Sequence, residues 1–416
     1  MRDHEIIGRR PAIDVARVLA LLGVVVGHLT LAVIDRGAGG DLRGANLLAI
    51  RPGWAWIAML SPMAVFFAAA GWANAHATLR SSAPRLRSLI GLGAIVVSVW
   101  VGLAWVALLV SGGGGVVADG ARIATQPLWF LAAYVPLVAG APFIARFARR
   151  PVVSISACLS ILLVLDLARF SLGAPNWVGW PGFAAAWTVP WIIGTSWRAR
   201  TENGGINEHR VGLALLLVAG LGAHLLVRFG GYSPALIDAI PGARSNTTPP
   251  TIYTAVAGMS QVGLLMVVAG VLDQVGRRWR RLLSRAGEVA VGVYVLHLSA
   301  LALCAAVIAL GCPVPSRLSA GWWISRPLWY AAVLAMTALL VWIAAVVRSS
   351  LVRRFPPRID RPTPLADLWF GAALATIGGA VVGLKGPRNP VTAAVCVLAF
   401  VGSWWSFGRP GPRCSH

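Results

Sequence analysis

The chain has 416 residues, 57% of them hydrophobic and only 12% charged, with 19 Trp and a mean hydropathy of +0.74. A water-soluble domain cannot hide that much apolar surface, so lipid is the expected solvent for most of it. The net charge of +22 would suit a nucleic-acid partner, but the cations stand in short clusters between apolar runs, with no basic stripe and no aromatic–basic interleaving; a membrane protein with no nucleic-acid partner accounts for them.

Arg9 and Arg10 lead into an apolar run over 15–34. It resembles a signal peptide but is too long and lacks a small-x-small cleavage site, so it reads as an uncleaved first span. Further runs of spanning length follow at about 55–79, 88–110, 127–146, 152–168, 182–197, 211–229, 252–273, 289–311, 327–347, 366–384 and 391–407. The expectation is an all-α polytopic membrane bundle of about twelve transmembrane helices. Pro136, Pro142 and Pro190 interrupt or end runs among the fourth to sixth. Broken helices are tolerated at depth where protein or a cavity satisfies the freed backbone.

With the N-terminus in the cytoplasm, every inner connection between spans carries at least three arginines and no outer one holds more than three cations. That bias predicts a bacterial inner-membrane protein with both termini cytoplasmic. The Gly-rich stretch at Ser111 lacks the Gly-Lys-Ser/Thr of a phosphate loop and reads as a flexible outer connector. A basic linker near Arg354 to Asp360 separates residues 1–350 from an extra hairpin within 351–416. The five cysteines show neither disulfide nor zinc spacing and read as inert core residues, with no metal site.

Ionisable residues inside spans cost roughly 2.5–3.5 kcal/mol on insertion scales and so mark function. In "DVARVLALLGVVVGHL", Arg17 and His28 are eleven residues apart, about 16 Å along a helix and within about 20° of one face. Arg17 is expected at the cytoplasmic rim and His28 near mid-membrane; the bland reading makes Arg17 a snorkelling anchor and His28 a helix–helix hydrogen-bonding residue. His297 in the ninth span is the second deep histidine, with Glu288 near that span's inner end. His76 and His224 read as interfacial, and Asp166 with Arg169 as an i, i+3 pair.

These segments, in order, resemble the acyltransferase-3 family of integral-membrane O-acyltransferases. "IDVARVLALLGVVVGHL" is similar to the family's opening Arg, ten residues and His; "SPMAVFFAAAGW" from Ser61 to its Phe-Phe segment, followed by Arg85 and Arg87; "QPLWFLAAY" from Gln126, with Trp129, to its Pro-Leu-Trp-Phe-Leu stretch. "NTTPPTIY" from Asn246 resembles the Asn-x-x-Pro-Pro element of an actinobacterial branch, and "GVYVLHLSAL" the late Tyr-Leu-x-His motif, after which "SRPLWYAAVL" follows. The second-span Ser of many members is Ala70 here, and the hairpin past 361 lies outside the ten-span shared core of about 10–347.

The resemblance implies transfer of an acyl group, usually acetyl, from cytoplasmic acyl-CoA as co-substrate to a hydroxyl of a sugar, glycolipid or glycosylated metabolite, with no permanently bound cofactor. His28 then serves as general base or transient acyl carrier, with His297 as its catalytic partner. Arg17, Arg85, Arg87 and Trp129 bind substrate. Two other classes fit the broken spans and buried titratable groups: a transporter or flippase of lipid-linked sugars or small molecules, and a non-catalytic scaffold or sensor.

Overall fold

The computed structural model describes residues 10–36, 42–55, 61–111, 115–205, 207–237, 240–354, 363–387 and 389–408. The basic linker of 355–362, the middle of the Gly-rich connector and Cys414 lie outside the described residues. The order is α1 (Pro11–Leu31), a hairpin of β1 (Ala32–Arg36) and β2 (Leu42–Asn46), α2 (Leu47–Ile50), α3 (Met63–Ala73), α4 (Leu79–Ser111) and α5 (Gly115–Thr125). It continues through α6 (Trp129–Ala139), α7 (Ala141–Phe147), α8 (Pro151–Phe170), α9 (Pro181–Glu202) and α10 (Glu208–Gly230). The last elements are α11 (Ile252–Arg278), α12 (Arg280–Ala309), α13 (Ala320–Arg354), α14 (Leu365–Leu384) and α15 (Pro390–Ser406).

This is a polytopic helical membrane bundle. All twelve apolar runs contain helix, but among the described residues eight helices are long and apolar enough to cross a bilayer, or nine with one broken span included. The broken span bends by 73° between α6 and α7, at Gly140 and just ahead of Pro142, where the proline-rich run was expected to break. The others fall short for separate reasons. The 11 residues of α3 rise about 16 Å, half of a hydrocarbon core. The 17 of α15 reach about 25 Å. The second half of α9 carries Thr195, Ser196, Arg198, Arg200 and Glu202. The first run also ends early: α1 stops at Leu31, and Ala32 to Ile34 enter β1, where β-branched Val33 and Ile34 suit extended backbone.

Contacts divide the chain into two compact units. The first comprises Met1–Gly27, Asn46–Ala77 and Ala141–Glu288. Its core is rich in alanine where three helices meet: Ala64, Ala68 and Ala69 of α3, Ala185, Ala186 and Val189 of α9, and Ala255, Val262 and Ala269 of α11. Backbones touch where α3 crosses α9. A methyl group at Gly71 would run into the Trp191 carbonyl, and one at Gly194 into the Ala68 carbonyl. Thr195 Oγ1 donates to the Gly71 carbonyl at 3.1 Å, so small residues and one hydroxyl glue this crossing.

Arg10, expected only as a topogenic cation, closes one end of this unit. Its guanidinium donates to both oxygens of Glu208 at 2.6 and 2.7 Å and to Asp273 Oδ2 at 2.9 and 3.0 Å, and lies 5.5 and 5.1 Å from the rings of Trp72 and Trp197. Asp273 also accepts the Ala12 N–H at 2.8 Å, capping the start of α1. Burial opposes the charge on Arg10, but the two carboxylates outweigh it and lift its pKa further above its ordinary value.

At the C-terminal end of α8 the expected Asp166–Arg169 pair forms at 3.4 Å. Asp166 also accepts from Tyr232 Oη at 3.0 Å and from the Ile252 N–H at 2.8 Å, which ties the 231–251 connection to the start of α11. Burial, then the Asp166 charge, pushes the Tyr232 phenol above its ordinary range, so it stays a donor.

The second unit comprises His28–Ala45, Thr78–Gly140 and Val289–His416. The C-terminal hairpin of α14 and α15 packs against α4 and α6 within it. A methyl at Gly379 would meet Ala132 N at 2.8 Å and Leu128 O at 3.0 Å, Thr376 Oγ1 donates to the Ala132 carbonyl at 3.3 Å, and Ser403 Oγ joins the hairpin's two helices through the Gly371 carbonyl at 2.7 Å. Among the described residues no disulfide links Cys158, Cys304, Cys312 or Cys396.

Candidate active site

The site is built on α12 and the last turn of α1. Residues Val295–Ala302 of α12 are all buried, and His297 is 0% exposed. Its Nδ1 lies 2.7 Å from the Tyr294 carbonyl oxygen, and its Nε2 lies 3.0 Å from Nδ1 of His28. The two imidazoles are 5.1 Å apart between centroids and tilted by 36°. The sequence placed both histidines at depth, but no spacing rule could pair residues 269 positions apart.

Hydrogen-bond logic fixes the protons of the neutral pair. A carbonyl only accepts, so His297 Nδ1 carries hydrogen. Its Nε2 is then the acceptor, and His28 Nδ1–H is the donor. The basic lone pair of the couple therefore sits on His28 Nε2. A proton arriving there can pass through Nδ1 to His297 and end on a ring held by the Tyr294 carbonyl. The arrangement orients a base by a backbone dipole where hydrolytic triads use a carboxylate.

Neighbours hold the pair still. Tyr294 Oη donates to the Pro127 carbonyl at 3.2 Å, and its ring meets Phe130 edge-on at 5.2 Å, which joins α12 to the start of α6. Trp100 Nε1 donates to Ser299 Oγ at 3.0 Å. Thr30 Oγ1 and Tyr330 Oη lie 2.9 Å apart, fastening the end of α1 to α13. Tyr294, Ser299 and Tyr330 lie within the family-like segments "GVYVLHLSAL" and "SRPLWYAAVL", but none of the three was expected to have a role of its own.

The other expected site residues lie on α1, α4 and α6. His28 is in the last turn of α1, about 26 Å from its start. Arg17 is partly buried in the first half of α1 and belongs to the first unit. Arg85 is exposed on α4. Arg87 stacks over Trp404 of α15 at 4.9 Å, against the hairpin. Trp129 starts α6 beside Phe130, and its Cβ would be 3.0 Å from a methyl at Gly383. Glu288 is exposed, and His76 pairs with Glu202 at 2.7 Å at an exposed position.

An integral-membrane helical bundle with an oriented histidine pair in its interior is the class that fold and site define. Residues 10–346 match the model of the acyltransferase domain of the acyltransferase-3 family, and the chain belongs to that family of membrane acyltransferases. No curated protein and no solved structure matches the chain.

Proposed function

We propose that this acyltransferase moves an acyl group, most simply acetyl, from acyl-CoA to a hydroxyl of a sugar, glycolipid or glycosylated metabolite. The protein sits in a bacterial inner membrane with both termini cytoplasmic. The observation that carries the catalytic assignment is the 3.0 Å contact between His28 Nδ1 and His297 Nε2, with His297 Nδ1 on a carbonyl. In this mechanism His28 Nε2 takes the proton of the acceptor hydroxyl as its oxygen attacks the thioester carbonyl. The C–O bond forms, the C–S bond of the tetrahedral intermediate breaks, and the CoA thiolate leaves and recovers a proton from the pair. Arg85, exposed on α4, serves the phosphates of CoA as a fork donor.

The test uses the full chain purified in lipid, labelled acetyl-CoA and a panel of cell-envelope extracts. Wild type should yield labelled product, and folded His28→Ala should lose about 10²–10⁴-fold in rate, the usual worth of a general base. No consumption of acetyl-CoA or longer acyl-CoAs by wild type would overturn the acyl-CoA reading; a full-speed His28→Ala would reduce His28 to a structural residue.

A further inference from the structure

The "SRPLWY" stretch takes no part in the mechanism above. Trp322, Arg326 and Trp329 follow one another on α13 at steps of four and three residues, and so share one face. All are buried: Trp322 is 0% exposed, Arg326 and Trp329 9% each. The Arg326 guanidinium carbon stands 3.9 Å from the Trp322 ring centroid and 5.7 Å from that of Trp329. Arg326 Nη1 donates to the Ala32 carbonyl at 3.3 Å. Ala32 lies four residues beyond His28, and the Thr30–Tyr330 contact fastens the same end of α1 to the next turn of α13.

The remaining donors of this cluster are unmatched. Arg326 Nε, Trp322 Nε1 and Trp329 Nε1 are buried without an acceptor among the described residues. Asp35, the carboxylate nearest Ala32 in sequence, is taken by Arg317 at 3.6 Å. A buried guanidinium without a counter-charge is strongly unfavourable, and so is each buried N–H without an acceptor. Three donors and one positive charge, with no side-chain acceptor among them, are completed by an oxyanion. A planar carboxylate is met best by a single fork, whereas a tetrahedral phosphate presents oxygens in several directions to donors carried by three separate side chains.

We infer that Trp322, Arg326 and Trp329 bind a phosphate-ester group at the end of α1 that carries His28. The role of that group rests on the acyl-transfer reading: the phosphate is carried by the acceptor, and holding it brings the acceptor hydroxyl to His28. The binding itself does not depend on that reading. The same chemistry could come from a lipid-linked acceptor or from a soluble sugar phosphate.

The test is calorimetric binding to the full chain in a phosphate-free maltoside detergent, without acyl-CoA. The probes are decyl phosphate, glucose 1-phosphate, glucuronate and CoA. At least one phosphate ester should bind, and Arg326→Gln should weaken it at least tenfold, while Arg326→Lys loses less because it keeps the charge without the fork. Tighter decyl phosphate identifies a lipid-linked acceptor, and tighter glucose 1-phosphate a soluble one. Failure of both esters to bind, preference for glucuronate, binding of CoA alone, or equal binding by Arg326→Gln overturns the inference. If Arg326→Gln does not fold, Trp322→Phe removes one donor at nearly constant bulk and should weaken the ester severalfold; unchanged affinity overturns it equally. Absence of phosphate-ester binding in a wild-type chain that still transfers acetyl sinks this inference alone, and phosphate-ester binding without acetyl-CoA consumption sinks only the acyl-transfer reading.

Discussion

Replacing His297 by Phe tests whether the histidine pair works as a unit. Phenylalanine nearly fills the space of a ring that is 0% exposed, and the Tyr294 carbonyl it abandons lies within a helix. The fold should therefore survive. What disappears is the acceptor for His28 Nδ1–H, 3.0 Å away. His28 then loses both its fixed tautomer and its proton outlet. We expect a fall of about 10–10² in rate, equivalent to roughly 1.4–2.7 kcal/mol of transition-state stabilisation. His28→Ala alone should cost about 10²–10⁴. The double variant should be no slower than His28→Ala, because His297 acts only through His28. The assay is label transfer from acetyl-CoA at saturating donor, with helicity and elution volume as fold controls. Multiplicative losses in the double variant, or a His297→Phe enzyme as fast as wild type, would refute the relay.

Arg10→Met strands Glu208 and Asp273 together. With the three side chains 14–28% exposed, the loss should be about 2–3 kcal/mol, solvent screening bringing it under the roughly 3–5 kcal/mol of a fully buried pair, and Arg10→Lys should recover only part of it; thermal unfolding in detergent reads both. Gly194→Ala should cost about 1–3 kcal/mol or more, since its methyl meets the Ala68 backbone and α3 must move off α9; an unchanged unfolding temperature would mean the crossing is looser than described. Ser299→Ala leaves the buried Trp100 N–H without its 3.0 Å acceptor and should destabilise by about 1–3 kcal/mol. A shift in Trp fluorescence should accompany it.

The all-helical class was legible because a bilayer forces backbone groups to pair within each span, so hydropathy alone locates helices. Their lengths were less so. A hydropathy window counts Val33 and Ile34 into the first helix although β1 takes them, which leaves His28 in the last turn of α1. The window likewise stretched α3, whose helix holds only Met63–Ala73. The histidines announced themselves as titratable groups in apolar runs. Arg10 and Arg326 did not: one looked like any topogenic arginine, the other like a stray cation near a span end. Their meaning lies in partners supplied by distant segments, carboxylates for Arg10 and unmatched indoles for Arg326.

The carbonyl behind His297 also bears on the chemistry proposed. A carboxylate would stabilise the imidazolium more strongly, but between turnovers it would stand as a buried charge in an apolar interior, at several kcal/mol. A carbonyl orients the ring with no such standing cost, and in exchange gives a weaker base. That suits an activated thioester, whose attack by a hydroxyl needs proton removal late and only briefly. It would not suit an amide or an unactivated ester. A series of acyl donors with the same acyl group should therefore show transfer from the CoA thioester and a steep loss with the corresponding oxygen ester. Comparable rates from both would mean that another group shares the proton chemistry.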